Sequence, residues 1–238
     1  MHPLRSPVHY RTVAACFTAS AVFVALVPGL SLADDLAPAA RSMGPTAPPN
    51  GFVIHIGDSF VDAGLQQALR PKFHEMGTKY LSFARTSSWL STWAASPEID
   101  NLYFGYRPAL FLVTLGANEL FAKPADRRAP LVRAIVRRFR GTPCVWISIP
   151  VWEGAPTDLV EMTRRESAPC RHFDSSEVGA RMTRQRDKRH PDTAGGAMWA
   201  DAFWEWLMKE RDPDRGFWAL KPAPPEEHGP PAGTAQEP

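Results

Sequence analysis

The sequence predicts an α/β domain: a mostly parallel sheet of five strands covered on both sides by helices, as a three-layer α/β/α sandwich. Two observations carry this. Short, nearly unbroken apolar runs recur at 52–57 (FVIHIG), 79–84 (KYLSFA), 109–116 (ALFLVTLG), 144–150 (CVWISIP) and 171–174 (RHFD). Strands of that kind are buried on both faces, as in parallel sheets. Segments of helical period separate the runs, and strand–helix alternation is the connectivity of a parallel sheet.

Taken in order, the chain opens on an export signal. Arg5 and Arg11 precede an apolar stretch at 13–27, which Pro28 and Gly29 break. Ser31-Leu32-Ala33 then offers small residues for cleavage before Asp34. The reading is a signal peptide over 1–33 and a periplasmic or secreted protein with no stable membrane insertion after cleavage. An uncleaved anchor is the alternative, although the run is short for a bilayer span. Cys16 sits in a lipobox-like VAAC but at the wrong end of the apolar run. Residues 34–50, rich in Pro and Ala, read as a linker.

The domain itself is expected over 51–212. Within it, Leu131, Val132, Ile135, Val136 and Phe139 recur at helical spacing, with Arg133, Arg137, Arg138 and Arg140 opposite. A last helix is expected over 193–211, with Trp199, Phe203, Trp206 and Leu207 on one face. The Pro-rich stretch 213–238 reads as a disordered tail whose start Trp218 and Leu220 can tack onto the domain.

Composition excludes several functions. The formal net charge of the 238 residues is only +2, and no basic run is interleaved with aromatics, so nucleic acid is not expected as a partner. Neither CxxC nor HExxH is present, so no metal or other cofactor is expected. A phosphoryl-transfer reading lacks a P-loop. Once a signal peptide is removed, Cys144 and Cys170 remain, a candidate disulfide in an oxidising compartment, with two unpaired thiols as the alternative.

Sites in open parallel sheets form beyond the C-terminal strand ends, and three polar clusters fall there. Gly57-Asp58-Ser59-Phe60 follows the first strand, Gly116-Ala117-Asn118-Glu119 the third, and Asp187-Lys188-Arg189-His190 the fifth, just before the closing helix. A serine hydroxyl needs a base to become a nucleophile. A histidine can serve, oriented by a carboxylate three residues away. The Ser59 N–H and the Asn118 side chain can both donate to an oxyanion. Each cluster alone has a bland reading as turn or cap residues. Their order and placement together do not.

Here the chain resembles the SGNH subgroup of GDSL hydrolases over about residues 52–210. GDSF (57–60) resembles that family's first block, GANE (116–119) its third and DKRH (187–190) its fifth. The resemblance implies a flavodoxin-like α/β/α fold and metal-free serine ester hydrolysis. It assigns Ser59 as nucleophile, His190 as base, Asp187 as orienting acid and Asn118 as oxyanion donor. Two departures stand out. Glu119 replaces the family's usual Asp. The second block has no glycine: its equivalent is Ala84-Arg85-Thr86-Ser87-Ser88, where Ala84 or Arg85 is the candidate backbone donor.

His55, in mid-strand, is expected to be a core histidine, and Asp58 to bind local N–H groups. The tryptophans read mostly as core; Trp89, Trp93 and Trp152 follow the second and fourth strand ends, so some of them can line the cleft. The resulting expectation is an exported serine esterase acting on short acyl groups, such as O-acetyl on a glycan or a small-molecule ester. The alternatives are an envelope glycan O-acyltransferase using the same residues and a non-catalytic envelope binding module.

Overall fold

Five parallel strands pair in the order β2-β1-β3-β4-β5 in the computed structural model, which describes residues 48–229. They are β1 (Phe52–Gly57), β2 (Lys79–Ala84), β3 (Leu110–Thr114), β4 (Cys144–Ile147) and β5 (Arg171–Phe173). β3 and β4 are buried at every residue, which is why their sequences show no polar alternation. The helices are α1 (Gln66–Glu75), α2 (Leu90–Ala95), α3 (Glu98–Tyr106), α4 (Ala129–Arg137), α5 (Asp158–Glu166), α6 (Ser176–Arg181), α7 (Thr193–Glu210) and the short α8 (Pro225–His228).

The strand order dictates the layers. From β1 the chain steps outward to β2, then reverses past β1 to β3, β4 and β5. Crossovers between parallel strands are right-handed, so connections running in opposite directions lie on opposite faces. α1 therefore covers one face, where it packs on α7, and α2, α4 and α5 pack together on the other. The chain reverses direction between β1 and β3, so a crevice opens beyond their C-terminal ends. Ser59 and Asn118 follow those two strands.

The expected strands are all present. The third and fourth end earlier than their apolar runs: Leu115, Ile149 and Pro150 are buried as loop, and the Ser148 N–H makes one last bond to β5, to the Phe173 carbonyl at 3.0 Å. His55 is buried in β1, where its ring bonds Tyr80 Oη at 2.7 Å and Thr114 Oγ1 at 2.9 Å. Burial holds its pKa down to about 3, so it is neutral. This buried network joins β2, β1 and β3.

The expected start of the tail at 213 falls inside packed structure. Trp218 is buried and its indole N–H donates to Thr78 Oγ1 at 3.0 Å. Further on, Glu227 meets the buried Arg171 guanidinium (Nε–Oε2 2.8 Å) and accepts the His172 N–H at 2.7 Å. Arg171 also pairs with Glu210 at 3.0 Å and donates to the Lys221 carbonyl. Proline-rich composition hid these contacts, because one aromatic and one carboxylate anchor a segment with no apolar period. The expected signal peptide and nearly all of the expected linker lie outside the described residues, as does 230–238. No helix among the described residues is long and apolar enough to cross a membrane.

Cys144 and Cys170 form a disulfide across a sequence separation of 26 residues, closing the β4–α5–β5 unit. Constraining a loop of that length in the unfolded chain is worth about 3 kcal/mol. Replacing both cysteines by alanine is expected to lower the unfolding free energy by about that amount in denaturant titrations. Equal stability with and without the bond would show that the closed unit is held by packing alone.

Candidate active site

The crevice is built from four loops, each held by backbone groups. After β1 the chain turns at Asp58-Ser59. The Asp58 carboxylate is wholly buried and accepts three backbone N–H bonds, from Phe60 (3.0 Å) through one oxygen and from Gly116 (3.2 Å) and Ala117 (3.1 Å) through the other. Asp58 thus ties the serine turn to the loop after β3. Burial pushes its pKa up to about 6 against the opposing pull of those N–H donors.

The loop after β3 carries Asn118 and Glu119. The Asn118 amide donates one hydrogen to the Ser88 carbonyl at 2.8 Å, which leaves its second N–H for a ligand. Glu119 is buried and accepts the Leu90 backbone N–H at the start of α2. Burial raises its pKa to about 7, with the nearby Asp58 charge adding to the rise. Glutamate in place of aspartate therefore has a structural task here: its extra methylene carries the carboxylate to α2.

The second-block donors proposed from sequence are corrected. Arg85 N–H is consumed by the Gly57 carbonyl at 2.9 Å, extending the ladder. Ala84, next to it on an edge strand, faces its N–H the other way, off the sheet. The special residue of this stretch is Ser87. Arg85 to Ser88 form a turn closed by Ser88 N–H to the Arg85 carbonyl at 3.0 Å, and Ser87 sits at its third position with φ +61°. That left-handed angle is the type II requirement for which glycine is preferred. The backbone shape that glycine would ease is thus present with a serine, next to the residue whose carbonyl holds Asn118. Ser88 itself is buried and its hydroxyl accepts from the Trp93 indole N–H at 3.0 Å. This makes Trp93 a core residue, whereas Trp89 is 44% exposed and Trp152 is half-buried against Phe60.

His190 arrives from the far end of the chain on the loop before α7. Its Nε2 lies 2.8 Å from Ser59 Oγ and its Nδ1 2.6 Å from Asp187 Oδ2. The other Asp187 oxygen accepts the Arg189 and His190 backbone N–H groups, at 2.9 and 3.1 Å. The bond to His190, foremost, holds the Asp187 carboxyl down to about 2. An ionised Asp187 fixes the proton on Nδ1, so Nε2 presents a lone pair to the serine hydroxyl. The structure therefore brings together Ser59, His190 and Asp187 in one hydrogen-bonded series.

Two features that sequence reading missed set this alignment. One is a contact between glycines. Gly64, at φ +90°, lies just after the serine turn, and Gly196 lies in the first turn of α7; a Cβ on Gly196 would meet Gly64 Cα at 2.6 Å and the Ala63 carbonyl oxygen at 2.7 Å. Only hydrogen at these positions lets the Ser59 and His190 segments approach so closely. The signal was the Gly195-Gly196 pair inside a predicted helix. The other feature is Arg184, whose guanidinium donates to the carbonyls of Arg189 (2.6 Å), Gly179 (2.9 Å), Pro150 (3.0 Å) and Val151 (3.1 Å).

No protein-family model matches the sequence, and no curated protein matches it. Solved structures do match in fold. TesA superposes with a TM-score of 0.57 at 17% identity, over 66% of this chain and 98% of that one. A lipolytic G-D-S-L family protein from Desulfitobacterium hafniense DCB-2 gives 0.52 at 14%, over 66% and 100%. The acetyl xylan esterase AlAXEase gives 0.53 at 16%, over 66% and 99%. The chain thus has the fold of GDSL/SGNH lipolytic proteins, as its three sequence blocks implied.

Two outcomes are expected from this site. Ser87→Gly relieves a left-handed non-glycine residue and should raise the unfolding free energy by about 1 kcal/mol. A destabilised variant would show that the Ser87 side chain contributes more than its backbone costs. The second concerns pH. Asp58 and Glu119 hold protons more tightly folded than unfolded, where carboxyls titrate near pH 4. The stability they contribute is fully present below about pH 4 and lost as pH rises through about 6 and about 7. Melting temperature should therefore fall across that window, and Glu119→Gln should flatten the upper part; an unchanged slope would locate the titration elsewhere.

Proposed function

We propose that the chain is a serine esterase that hydrolyses carboxylic esters through an acyl-enzyme on Ser59. The observation that carries this reading is the continuous series Ser59 Oγ–His190–Asp187 at the sheet's switch point. His190 Nε2 takes the Ser59 proton as Oγ attacks the ester carbonyl. The developing oxyanion is met by the Ser59 N–H and the second Asn118 amide hydrogen, with the Ser87 N–H as the second-block donor. The tetrahedral intermediate collapses as His190 returns the proton to the leaving alcohol, which departs and leaves an acyl ester on Ser59. Water, deprotonated by His190, then attacks that ester and releases the acid and free Ser59. No step calls for a metal or a redox group.

The acyl group in this reading is short, such as O-acetyl on a glycan, and the protein acts outside the cytoplasm, in the periplasm or as a secreted enzyme. Support comes from the N-terminal export pattern and from an acetyl xylan esterase among the proteins of similar fold.

The test is hydrolysis of p-nitrophenyl acetate, butyrate and octanoate by residues 34–238. Wild-type turnover should fall with acyl length. Ser59→Ala and His190→Ala should each reduce kcat by roughly 10⁴-fold or more. Asp187→Asn should cost less, roughly 10²–10³-fold, because this carboxylate is partly open to solvent. Variants that keep wild-type rates would remove Ser59 and His190 from the chemistry.

A further inference from the structure

A cleft of about 760 Å³ lies against the His190 loop, bounded by Trp152, Glu153, Gly179, Met182, Gln185 and Lys188. Its Trp152 wall is linked to the proposed chemistry through Phe60. Trp152 stacks on Phe60 at 6.1 Å with planes 19° apart, and Phe60 in turn lies 4.8 Å from the His190 ring. Lys188 is two residues from His190 on the same loop.

The proposed reaction says which half of the ester faces this cleft. His190 must return its proton to the leaving oxygen, so the alcohol lies on the imidazole's side of Ser59. The oxyanion donors, Asn118 with Ser87, come from the loops after β3 and β2. A cleft reached through Lys188 and Trp152 therefore holds the alcohol and not the acyl chain. Its walls combine an aromatic surface with Glu153 and Gln185, side chains that bond hydroxyl groups, whereas a site for a lipid tail is predominantly apolar.

The charge around it is mostly positive, with Glu153 in the wall and Asp187 on the adjoining loop as the exposed carboxylates. Arg186, Lys188 and Arg189 are exposed and, among the described residues, have no ion-pair partner. Neighbouring cations are already engaged: Arg181 pairs with Glu177 at 3.1 Å, and Arg184 is held by carbonyls. The Arg189 guanidinium stands 5.8 Å from the centre of the Trp152 ring, so cation and aromatic surface meet at one point.

Resting on the esterase reading, we infer that this cleft binds the leaving alcohol of the substrate and that the alcohol is a carboxylated sugar within a polymer. The sugar ring lies against Trp152, its free hydroxyls bond Glu153 and Gln185, and its carboxylate faces Lys188 and Arg189. Unpaired exposed cations attract an anionic chain through a field that salt screens.

The experiment compares kcat/KM on chemically O-acetylated polygalacturonate, on O-acetylated neutral mannan and on ethyl acetate, at low and at about 0.3 M NaCl. The full chain without residues 1–33 is used beside its Lys188→Gln/Arg189→Gln variant. The wild type should prefer the anionic polymer by about ten-fold or more at low salt, and the preference should shrink with salt and in the variant. Turnover of ethyl acetate with equal rates on both polymers would overturn the subsite alone, as would a preference that the variant retains. Failure on all three esters, ethyl acetate included, would overturn the esterase reading and the subsite with it.

Discussion

The site depends first on one buried carboxylate. Asp58 precedes the serine, yet it points away from the crevice and closes three N–H bonds, two of them to the loop after β3. Burying a carboxylate is costly unless its oxygens are well satisfied, and here both are. The geometry is then hard to vary, because moving either loop strands N–H groups as well as the acid. Glu119 joins the loop after β3 to α2 through one oxygen, its other having no hydrogen-bond partner among the described residues, and Asn118 holds the Ser88 carbonyl beside it. Three loops that emerge from separate strands are thus linked in series, each to the next, by acceptors and donors that water cannot replace.

His190 needs a different kind of constraint, since it comes from 131 residues away in sequence. Steric contact does the work that hydrogen bonds do elsewhere. The Gly64–Gly196 crossing sets how near α7 approaches the serine turn, and the Asp192 cap on the Gly195 N–H at 2.8 Å fixes where α7 begins. Between cap and imidazole there is only Pro191. Arg184 anchors the other end of the loop by neutralising carbonyls of the β4–α5 connection, of α6 and of Arg189 together. Helix position and loop anchorage together leave the ring little freedom.

Much of this was legible in the sequence. The apolar runs gave every strand, because a parallel sheet buried on both faces leaves no polar alternation to misread. Ser59 and Asn118 were legible because chain order placed them at strand ends, and Asp187 and His190 because they fall just before the closing helix, although α6 separates them from β5. Ser87 was not: its signal is a backbone angle, and the residue that normally advertises that angle is missing. Arg184 was hidden for a related reason, since its partners are carbonyls, which every residue carries. The burial of Trp93 and the packing of the segment after 213 were decided by tertiary context. An indole N–H found a buried hydroxyl, and a single carboxylate at Glu227 found Arg171.

The relay is more open than its scaffold. The Asp187 side chain is 42% exposed and that of His190 30%, so water competes for the charge that would develop on the imidazole. An ion pair near bulk water is worth a fraction of one in a dry cleft. Lys188, the next residue on the loop, lines the proposed alcohol cleft. On the proposed reading, an alcohol that fills that cleft and reaches past Lys188 would displace water from Asp187 and strengthen its hold on the imidazolium. A small alcohol leaves the relay wet. Binding energy from a remote sugar would then be expressed in turnover and not in affinity alone, as expected when an interaction reaches full strength only in the transition state. On the proposed reading, the open flank of Asp187 is completed by the substrate itself.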